Sequence, residues 1–440
     1  MRCQIQAERT QSITLPAQQH SAGRRRWRIP WLLGLGVLIS YMDRVNISVG
    51  QQALHHSFGL STVSYGYLLG AYSWTYALLQ LPSGVLLDKF GLRRVGGVSS
   101  FLWAIASVAT AAATGVVSLF GSRLLLGVGE ASIFPMNAKA IGSWFPERER
   151  GLPTAFFDSA AKFSPAIGVP LVGLLLLHFG WRISFAFTGV LSLLYCLLFI
   201  WVYRDPANDP HLSASEQAYI QGRPPAEDTE AFRAESPSMT MPYLIRQRKI
   251  IGLTIGFATY NYSFYLLLTW LPSYMAAGLR LNPVAAVWAA SIPWFFAGFI
   301  ELLIGGWMVD LLIRRGHAAG RVRQRVLLTG MIFGLGVVGP VITHKPALAL
   351  IALSLGLGGL SIAAPVGWSL PGILVPVNST GRVGGIMNFG SQFAAISAPI
   401  VTGYLIHWSH SYAPAFGLAG ILIVIGITSY LVLLGKIERI

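Results

Sequence analysis

The sequence predicts an all-α membrane protein of twelve transmembrane helices in two six-helix halves. Three observations carry this. Twelve apolar stretches, each near the roughly 20 residues that a bilayer span requires, run through a chain of 440 residues that is 54% hydrophobic and 11% charged. Soluble domains carry about 25% charged residues. Basic residues gather in alternate connections, and a six-span unit repeats.

Span one covers 29–50 and holds Tyr41-Met42-Asp43-Arg44-Val45-Asn46 well past its start. Span two, 64–87, ends in Gly84-Val85-Leu86-Leu87-Asp88, followed by Gly91 and Arg93-Arg94. Span three covers 95–113; span four, 116–139, contains Arg123 and Glu130. Span five, 152–177, contains Phe157-Asp158-Ser159-Ala160-Ala161-Lys162-Phe163, and span six is 182–203. Spans seven to twelve cover 248–276, 284–312, 323–343, 347–376, 381–406 and 412–435. Tyr260, Asn261, Tyr262, Tyr265 and Trp270 crowd span seven. Span eight holds Glu301, for which the sequence offers no role, and ends in Gly306-Trp307-Met308-Val309-Asp310 before Arg314-Arg315. Span ten carries Ser361, Trp368 and Ser369; span eleven carries Asn388 and Gln392, four apart and so on one helix face. Glycines and prolines inside the spans, such as Gly127, Gly129, Pro165 and Pro365, permit close approach and bending.

Between spans six and seven, 204–247 is polar, rich in Pro, Asp, Glu and Arg, and much longer than the other connections. Its composition suits a flexible linker with a short helix. The organisation is a cytoplasmic tail 1–28, a first half 29–203, a cytoplasmic linker 204–247, a second half 248–436 and a tail 437–440. Gly84…Asp88 and Gly306…Asp310 are corresponding pieces of the two halves, 222 residues apart. Many secondary transporters are built from such duplicated units, with the substrate site between the halves near the midplane.

The net charge of +15 raises nucleic acid as a partner, and its distribution removes it. Arg24-Arg25-Arg26 and Arg28, Lys89, Arg93 and Arg94, Arg148 and Arg150, the 204–249 segment, Arg314 to Arg325, Arg382, Lys436 and Arg439 fall on one set of connections. Arg182, Arg280 and Lys345 are the exceptions on the other set. This is the positive-inside pattern, and it places both termini in the cytoplasm. The expected setting is the cell inner membrane, with the lipid bilayer as a partner, no nucleic acid, and a monomer as the working unit. Cys3 and Cys196 are the two cysteines, one in a polar tail and one in an apolar stretch, so no disulfide framework is indicated. The first 28 residues lack an apolar core with a small-residue cleavage site, so a cleaved signal peptide is not expected. His55, His56, His178, His407 and His410 lie at predicted outer ends without ligand spacing on a shared buried face, so a metal site is not expected. No G-x-x-x-x-G-K-[ST] loop is present, which argues against an ATP-driven pump.

Function is sought among the charges inside the spans, because each costs about 2.5–3.5 kcal/mol at a helix centre. Arg123 and Glu130 are seven apart, so both can line one cavity wall. Asp43 and Arg44 are neighbours about 100° apart, so one faces that cavity and the other leans toward a neighbouring helix. Tyr41 shares a face with Arg44. A static ion-pair cluster joining helices one and four is the bland alternative. Four buried charges are an expensive way to hold two helices, and buried pairs contribute little net stability.

The pattern G-x-x-x-D-x-x-G-x-R-R from Gly84 to Arg94 resembles the loop motif of the major facilitator superfamily, over about residues 28–436. YMDRVNISV (41–49), RLLLGVGEASIFPMNAKAIGSWFPERERG (123–151), GWRISF (180–185) and GGIMNFGSQFAAISAPIVTGY (384–404) resemble its anion:cation symporter family. That resemblance implies protonation sites at Asp43 and Glu130, a substrate carboxylate on Arg44, and coupling assisted by Arg123, which pairs with the acids. It implies substrate contact at Tyr76 and, through hydroxyl groups, at Asn388, while Tyr41 joins the same pocket. Asp88, Arg93 and Arg94, with Asp310 and Arg314, correspond to gating loops that break and reform a charge latch; ordinary membrane-surface charge is the alternative. Asp158 and Lys162 depart from the amide-bearing stretch of galactonate-like members. Four apart, they neutralise each other on one helix; alternatively Lys162 is a substrate-binding third cation, which favours a dicarboxylate.

The expected function is proton-coupled symport of a small organic anion, a sugar acid or other carboxylate, by alternating access. No cofactor is expected beyond the proton as coupling ion. A transporter-like ligand sensor shares every pocket residue, and a proton-driven exporter shares the fold, but paired arginines favour an anion. An enzyme is not expected.

Overall fold

The computed structural model describes residues 24–146, 149–221 and 239–440, without the side chains at 81, 151, 221, 310, 377 and 378. Cys3, Arg148, most of the N-terminal tail and part of the 204–247 linker lie outside the described residues. Twelve transmembrane helices and no strand are found among the described residues. In the first half they are α1 (Arg28–Val49), α2 (Thr62–Phe90), α3 (Leu92–Ala111), α4 (Val116–Trp144), α5 (151–179) and α6 (181–202). In the second half they are α7 (Arg248–Gly278), α8 (Pro283–Arg314), α9 (Ala319–Ile342), α10 (Pro346–Leu374), α11 (Val377–Ser409) and α12 (Ala413–Leu434).

Local chemistry sets the helix ends. Beyond Gly50, α1 continues into a short helix, Gln51–Phe58, that stops at Gly59 with φ of 63°. Ser61 caps α2 by accepting the Ser64 N–H, and Asn282 caps α8 by accepting the Ala285 N–H. Gly91 (φ 81°) is all that separates α2 from α3, and Gly180 (φ 80°, ψ 170°) all that separates α5 from α6. Only glycine takes such backbone angles without strain, so each hairpin turns on one residue. Hydropathy places a longer gap at 178–181; the chain there stays helical except at Gly180. Similarly, α9 begins at Ala319 rather than 323, because Arg321, Arg323 and Arg325 are helical though not apolar.

Further departures from plain α-helix, besides the 3-10 turn Leu335–Val338 in α9, are invisible to hydropathy. Tyr274–Gly278, Glu301–Met308 and Ser429–Leu434 are π-helical. The longest begins at Glu301, inside α8.

An even number of spans puts both chain ends on one face, here the terminal face; the turns α1–α2, α3–α4, α5–α6, α7–α8, α9–α10 and α11–α12 make the far face. The halves meet along α2–α11, α5–α8 and α1–α7. Near the far face these seams are tight. A Cβ on Gly66 would meet the Pro399 carbonyl at 2.7 Å, and one on Gly403 the Thr62 carbonyl at 2.8 Å. The Tyr65 ring packs edge-on against Trp270, and the Ser273 hydroxyl donates to Gln51 across the halves. Toward the terminal face the same seam is loose: Gly84 on α2 and Gly381, Gly384 and Gly385 on α11 meet nothing within 4 Å. The molecule is closed at its far face and parted at its terminal face.

Contacts at the terminal face stay largely within one half. Arg25 holds Asp209 through two hydrogen bonds, Nε at 2.7 Å and Nη2 at 2.8 Å, and Arg26 reaches Glu149 and Glu216. The early linker is thereby tied to the start of α1. Its far end joins the second half, where the Met239 N–H donates to Ser379 and Arg382 donates to the Met239 carbonyl.

Partial burial alone would raise the Asp209 pKa from its ordinary 3.8; the Arg25 hydrogen bonds, with the His211 N–H and the Arg25 charge, outweigh it and hold the pKa lower. A depressed folded-state pKa contributes stability above 3.8 that is lost as pH falls through the folded value. Asp209→Asn should therefore lower Tm at neutral pH and flatten its fall on acidification. A melting profile with the wild-type acid limb would show that the clasp contributes nothing.

Candidate functional site

The site is set between α1, α2, α4 and α7, where close packing brings polar groups into the protein interior. Gly127 of α4 lies directly against the Tyr72 carbonyl and Thr75 of α2, and the Thr75 hydroxyl donates to the Leu124 carbonyl at 2.7 Å. A larger residue at 127 would push α4 off α2. That seam faces α1 with Arg123, Glu130, Tyr72 and Tyr76, all buried.

Arg44 is the centre. Its side chain is 4% exposed and that of Glu130 is fully buried. Arg44 Nε donates to Glu130 Oε2 at 2.8 Å, while Nη2 lies 2.7 Å from the same oxygen without hydrogen-bond alignment. Glu130 Oε1 has no hydrogen-bond donor. The guanidinium carbon sits 4.1 Å from the Tyr41 ring centroid, 4.5 Å from Tyr72 and 5.3 Å from Tyr76. Aromatic faces attract a cation by about 0.5–2 kcal/mol each without satisfying its N–H donors. The cation is thus held in place with part of its hydrogen-bonding fork unused.

Arg123 and Glu130 share one wall, as their spacing requires, but they are two turns apart, about 10 Å along the axis, and no ion pair joins them. Instead Arg123 Nη1 donates to the Asp43 backbone carbonyl at 3.3 Å and its Nε is buried without a partner. The Asp43 carboxylate leans to α6, with Oδ2 2.8 Å from Ser192 Oγ. Asn46, one turn on, bonds Thr188 and the Ser184 carbonyl. So Asp43 and Arg44 do diverge: Arg44 faces the middle of the molecule and Asp43 the packed side of the first half. On the far-face side of Arg44 lies a small cavity lined by Arg44, Tyr72, Arg123, Tyr265 and Thr269 among others.

The second half supplies amides. Asn388 Nδ2 donates to Gln80 Oε1 of α2 at 2.7 Å, which bridges the halves below the closed seam. Gln392 is 3.5 Å from Asn388, and its own Oε1 has no partner. Lys162 Nζ contacts Asp158 and Glu301 at 3.1 Å each, the second across the halves. This accounts for Glu301 and replaces the expectation that Asp158 alone answers Lys162.

The loop residues are peripheral. Asp88 pairs with Lys139 at 2.6 Å, and Lys139 also donates to the Leu87 carbonyl. Arg93 donates to the Ile200 carbonyl, and Arg94 and Arg314 are exposed. The Asp310 side chain lies outside the described residues.

Sequence reading missed Tyr72, Lys139 and Asn137. Both amide atoms of Asn137 are buried without a partner. The signal was available: Asn137 follows Glu130 by the same seven residues that separate Glu130 from Arg123. Tyr72 is one turn from Tyr76 and could have been found the same way. Among the described residues no group of His, Cys, Asp and Glu could hold a metal ion.

Arg44→Lys keeps the charge and loses the planar fork that grips a carboxylate bidentately. It should weaken binding of any carboxylate ligand by about tenfold or more, read by ligand-induced thermal shift on purified protein. Unchanged affinity would remove Arg44 from the binding site.

Comparison with known proteins places this arrangement. The Major Facilitator Superfamily profile matches residues 33–398. The chain is 36% identical to "Uncharacterized transporter YybO" of Bacillus subtilis, over 98% of this chain and 99% of that one. It is 30% identical to the "D-galactonate transporter" of Escherichia coli, over 97% and 100%. It is 32% identical to "Probable galactarate/D-glucarate transporter GudP" of Bacillus subtilis, over 94% and 93%. Among solved structures, a bacterial homolog of the human lysosomal transporter Spinster, inward-facing and unoccupied, aligns with a TM-score of 0.72 at 17% identity, covering 94% of this chain and 98% of that one. The D-xylose–proton symporter aligns at 0.71 and 15%, over 94% and 98%. At these identities the structures speak for the fold.

Proposed function

Because the chain belongs to the Major Facilitator Superfamily, and is a membrane transport protein rather than an enzyme, we propose that it carries a small organic anion, a sugar acid or related carboxylate, by proton-coupled symport. The observation that carries this reading is the Arg44–Glu130 pair. A buried arginine gripped through one carboxylate oxygen, with the other oxygen idle, can exchange an internal carboxylate for an external one. The D-galactonate and galactarate/D-glucarate names of the relatives support the choice of anion.

The mechanism follows from charge. Asp43, Arg44, Arg123 and Glu130 sum to zero when all are ionised. In that condition Glu130 occupies Arg44, and an incoming anion would add an uncompensated charge in a low dielectric. A proton on Glu130 releases the guanidinium. The substrate carboxylate then takes its place on Arg44, and hydroxyl groups of a sugar acid meet Asn388, Gln392 and Asn137. The loaded site is again near neutral, so rocking of the halves becomes cheaper. On the other side the substrate leaves, Glu130 loses its proton and the pair reforms. Asp43, held by Ser192 close to the Arg123 contact, is the second protonation site. Gly66, Gly403 and the Tyr65–Trp270 contact form the seam that opens when the terminal face closes.

The positive-inside distribution of basic residues on the terminal face, Arg25, Arg26, Lys89, Arg93, Arg314 and Arg382 among them, supports a cytoplasmic terminal face in the inner membrane. Ser213→Cys, on an exposed linker position with Cys3 and Cys196 replaced, should resist an impermeant thiol reagent in intact cells and react after permeabilisation. Ready labelling in intact cells would reverse the orientation and the direction of import.

Coupling is tested with Glu130→Gln, which mimics the protonated acid permanently. Accumulation of a labelled sugar acid along a pH gradient in proteoliposomes should vanish, while ligand-induced thermal stabilisation survives. Gradient-driven accumulation by this variant would show that Glu130 is not the coupling group and leave Asp43 in that role.

A further inference from the structure

A second charged cluster joins α5 to α8. Lys162 and Glu301 are 4% and 5% exposed, with their charged atoms 3.1 Å apart. Asp158, one turn earlier on α5, hydrogen-bonds the same ammonium at 3.1 Å. As structural glue this cluster carries one anion too many. A single Lys–Asp pair would neutralise α5; Glu301 adds a second carboxylate to one ammonium, with only Asp158 partly exposed, and the surplus negative charge is costly unless a proton, a cation or solvent at Asp158 offsets it. The two carboxylates are also not equivalent. Asp158 makes an aligned hydrogen bond, whereas Glu301 Oε2 is at ion-pair distance with no hydrogen bond to it. Glu301 is therefore the looser partner. It opens the π-helical stretch Glu301–Met308, and such stretches concentrate at functional sites because they disrupt the regular backbone ladder.

Tyr41 is the group shared by this cluster and Arg44. Tyr41 packs on the Arg44 guanidinium at 4.1 Å and is close enough to interact electrostatically with both Arg44 and Lys162. Tyr260 of α7 interacts with Lys162, Glu301, Asp158 and Tyr41. Two buried cations thus flank Tyr41, each answered by a carboxylate with an oxygen that accepts no aligned hydrogen bond. We propose that Lys162 is a second anion subsite and that the cargo is a small dianion with an acidic group at each end, one on Arg44 and one on Lys162, Glu301 occupying Lys162 when no cargo is bound. This rests on the carboxylate reading above and narrows it. A lysine suits the second position: its compact ammonium with three rotatable donors accepts an anion at a less defined angle than the arginine fork does.

Charge balance gives the proton count. Asp43, Arg44, Arg123, Glu130, Asp158, Lys162 and Glu301 together sum to one negative charge when ionised. The unladen site is neutral with one proton, held between Asp158 and Glu301. A dianion requires two more, so two protons accompany each cargo molecule and the cycle is electroneutral. Glu301 is faced by Asp158 and Lys162 from α5 and by Tyr260 from α7, with Tyr41 of α1 beyond; α10, packed on the same stretch, carries no titratable residue.

The test compares matched acids on the purified full-length protein by calorimetry and thermal shift: galactarate against D-galactonate, and succinate against butyrate. The wild type should bind at least one dianion about tenfold or more tightly than its monoanionic partner. Lys162→Gln should collapse that ratio toward one, whereas Arg44→Lys should weaken both members of the pair. Should Lys162→Gln fail to fold, Glu301→Gln, which keeps Lys162 and removes its competitor, should bind the dianion with a flattened pH dependence. A monoanion bound as well as its dianion, an unchanged ratio in Lys162→Gln, or a wild-type pH profile in Glu301→Gln would each overturn the subsite and leave the carboxylate reading standing. Binding of none of the four acids would overturn the dianion subsite as proposed and count against sugar acids as the cargo.

Discussion

The organisation of the core depends on one buried arginine. Arg44 is buried inside the helix bundle with the Glu130 carboxylate in direct contact. Removing a guanidinium from water costs several kcal/mol, and an ion pair recovers that only with good geometry and full hydrogen bonding. Here the hydrogen bonding is incomplete: one oxygen of Glu130 and part of the Arg44 fork lack partners, and aromatic faces supply the remaining attraction. A pair optimised for stability would satisfy these atoms. A pair that must let go of itself on every cycle would not. Tyr41, Tyr72 and Tyr76 surround the cation independently of Glu130, which is what the proposed exchange of the acid on α4 for a cargo anion requires.

The surrounding helices are arranged so that this exchange is felt at the interface of the halves. Glycines bring α2 onto α11 near the far face and leave the same helices apart near the terminal face. The polar bridges between halves, Asn388 to Gln80 and Lys162 to Glu301, lie deeper than the tight seam. Each uses groups that a polar cargo would also engage. Under the proposed mechanism, loading the site would compete with the contacts that fix this conformation and so link binding to rocking without a separate relay.

Much of the fold was legible because lipid restricts the options: a backbone in hydrocarbon must be helical or a closed barrel, runs of about 20 apolar residues select the helix, and apolar length then counts the spans. The twelve stretches and the repeat of Gly84…Asp88 at Gly306…Asp310 needed no further information. What hydropathy could not give were the one-residue turn at Gly180, where no polar loop exists, and the π-helical stretches, which have no compositional mark. In the site, Arg44, Glu130 and Arg123 were visible as charges in apolar surroundings. Their partners were less so. Helical spacing put Arg123 and Glu130 on one wall but could not say that Arg123 reaches the Asp43 carbonyl, or that Arg44 takes the acid. Glu301 had no role on its own helix, since its partner Lys162 is 139 residues away in the other half; such a pairing requires the tertiary structure. Asn137 was legible in the seven-residue period and was overlooked because an amide stands out less than a charge.

The central claim is that Glu130 and the cargo anion compete for Arg44 and that a proton settles the competition. Its most direct test is the number of protons taken up when a carboxylate binds the purified carrier, obtained by calorimetry in buffers of different ionisation enthalpy. Wild-type protein should take up protons on binding at a pH where Glu130 is ionised, and Glu130→Gln should take up about one fewer while still binding. Binding without proton uptake in the wild type, or the same uptake in both proteins, would contradict the account.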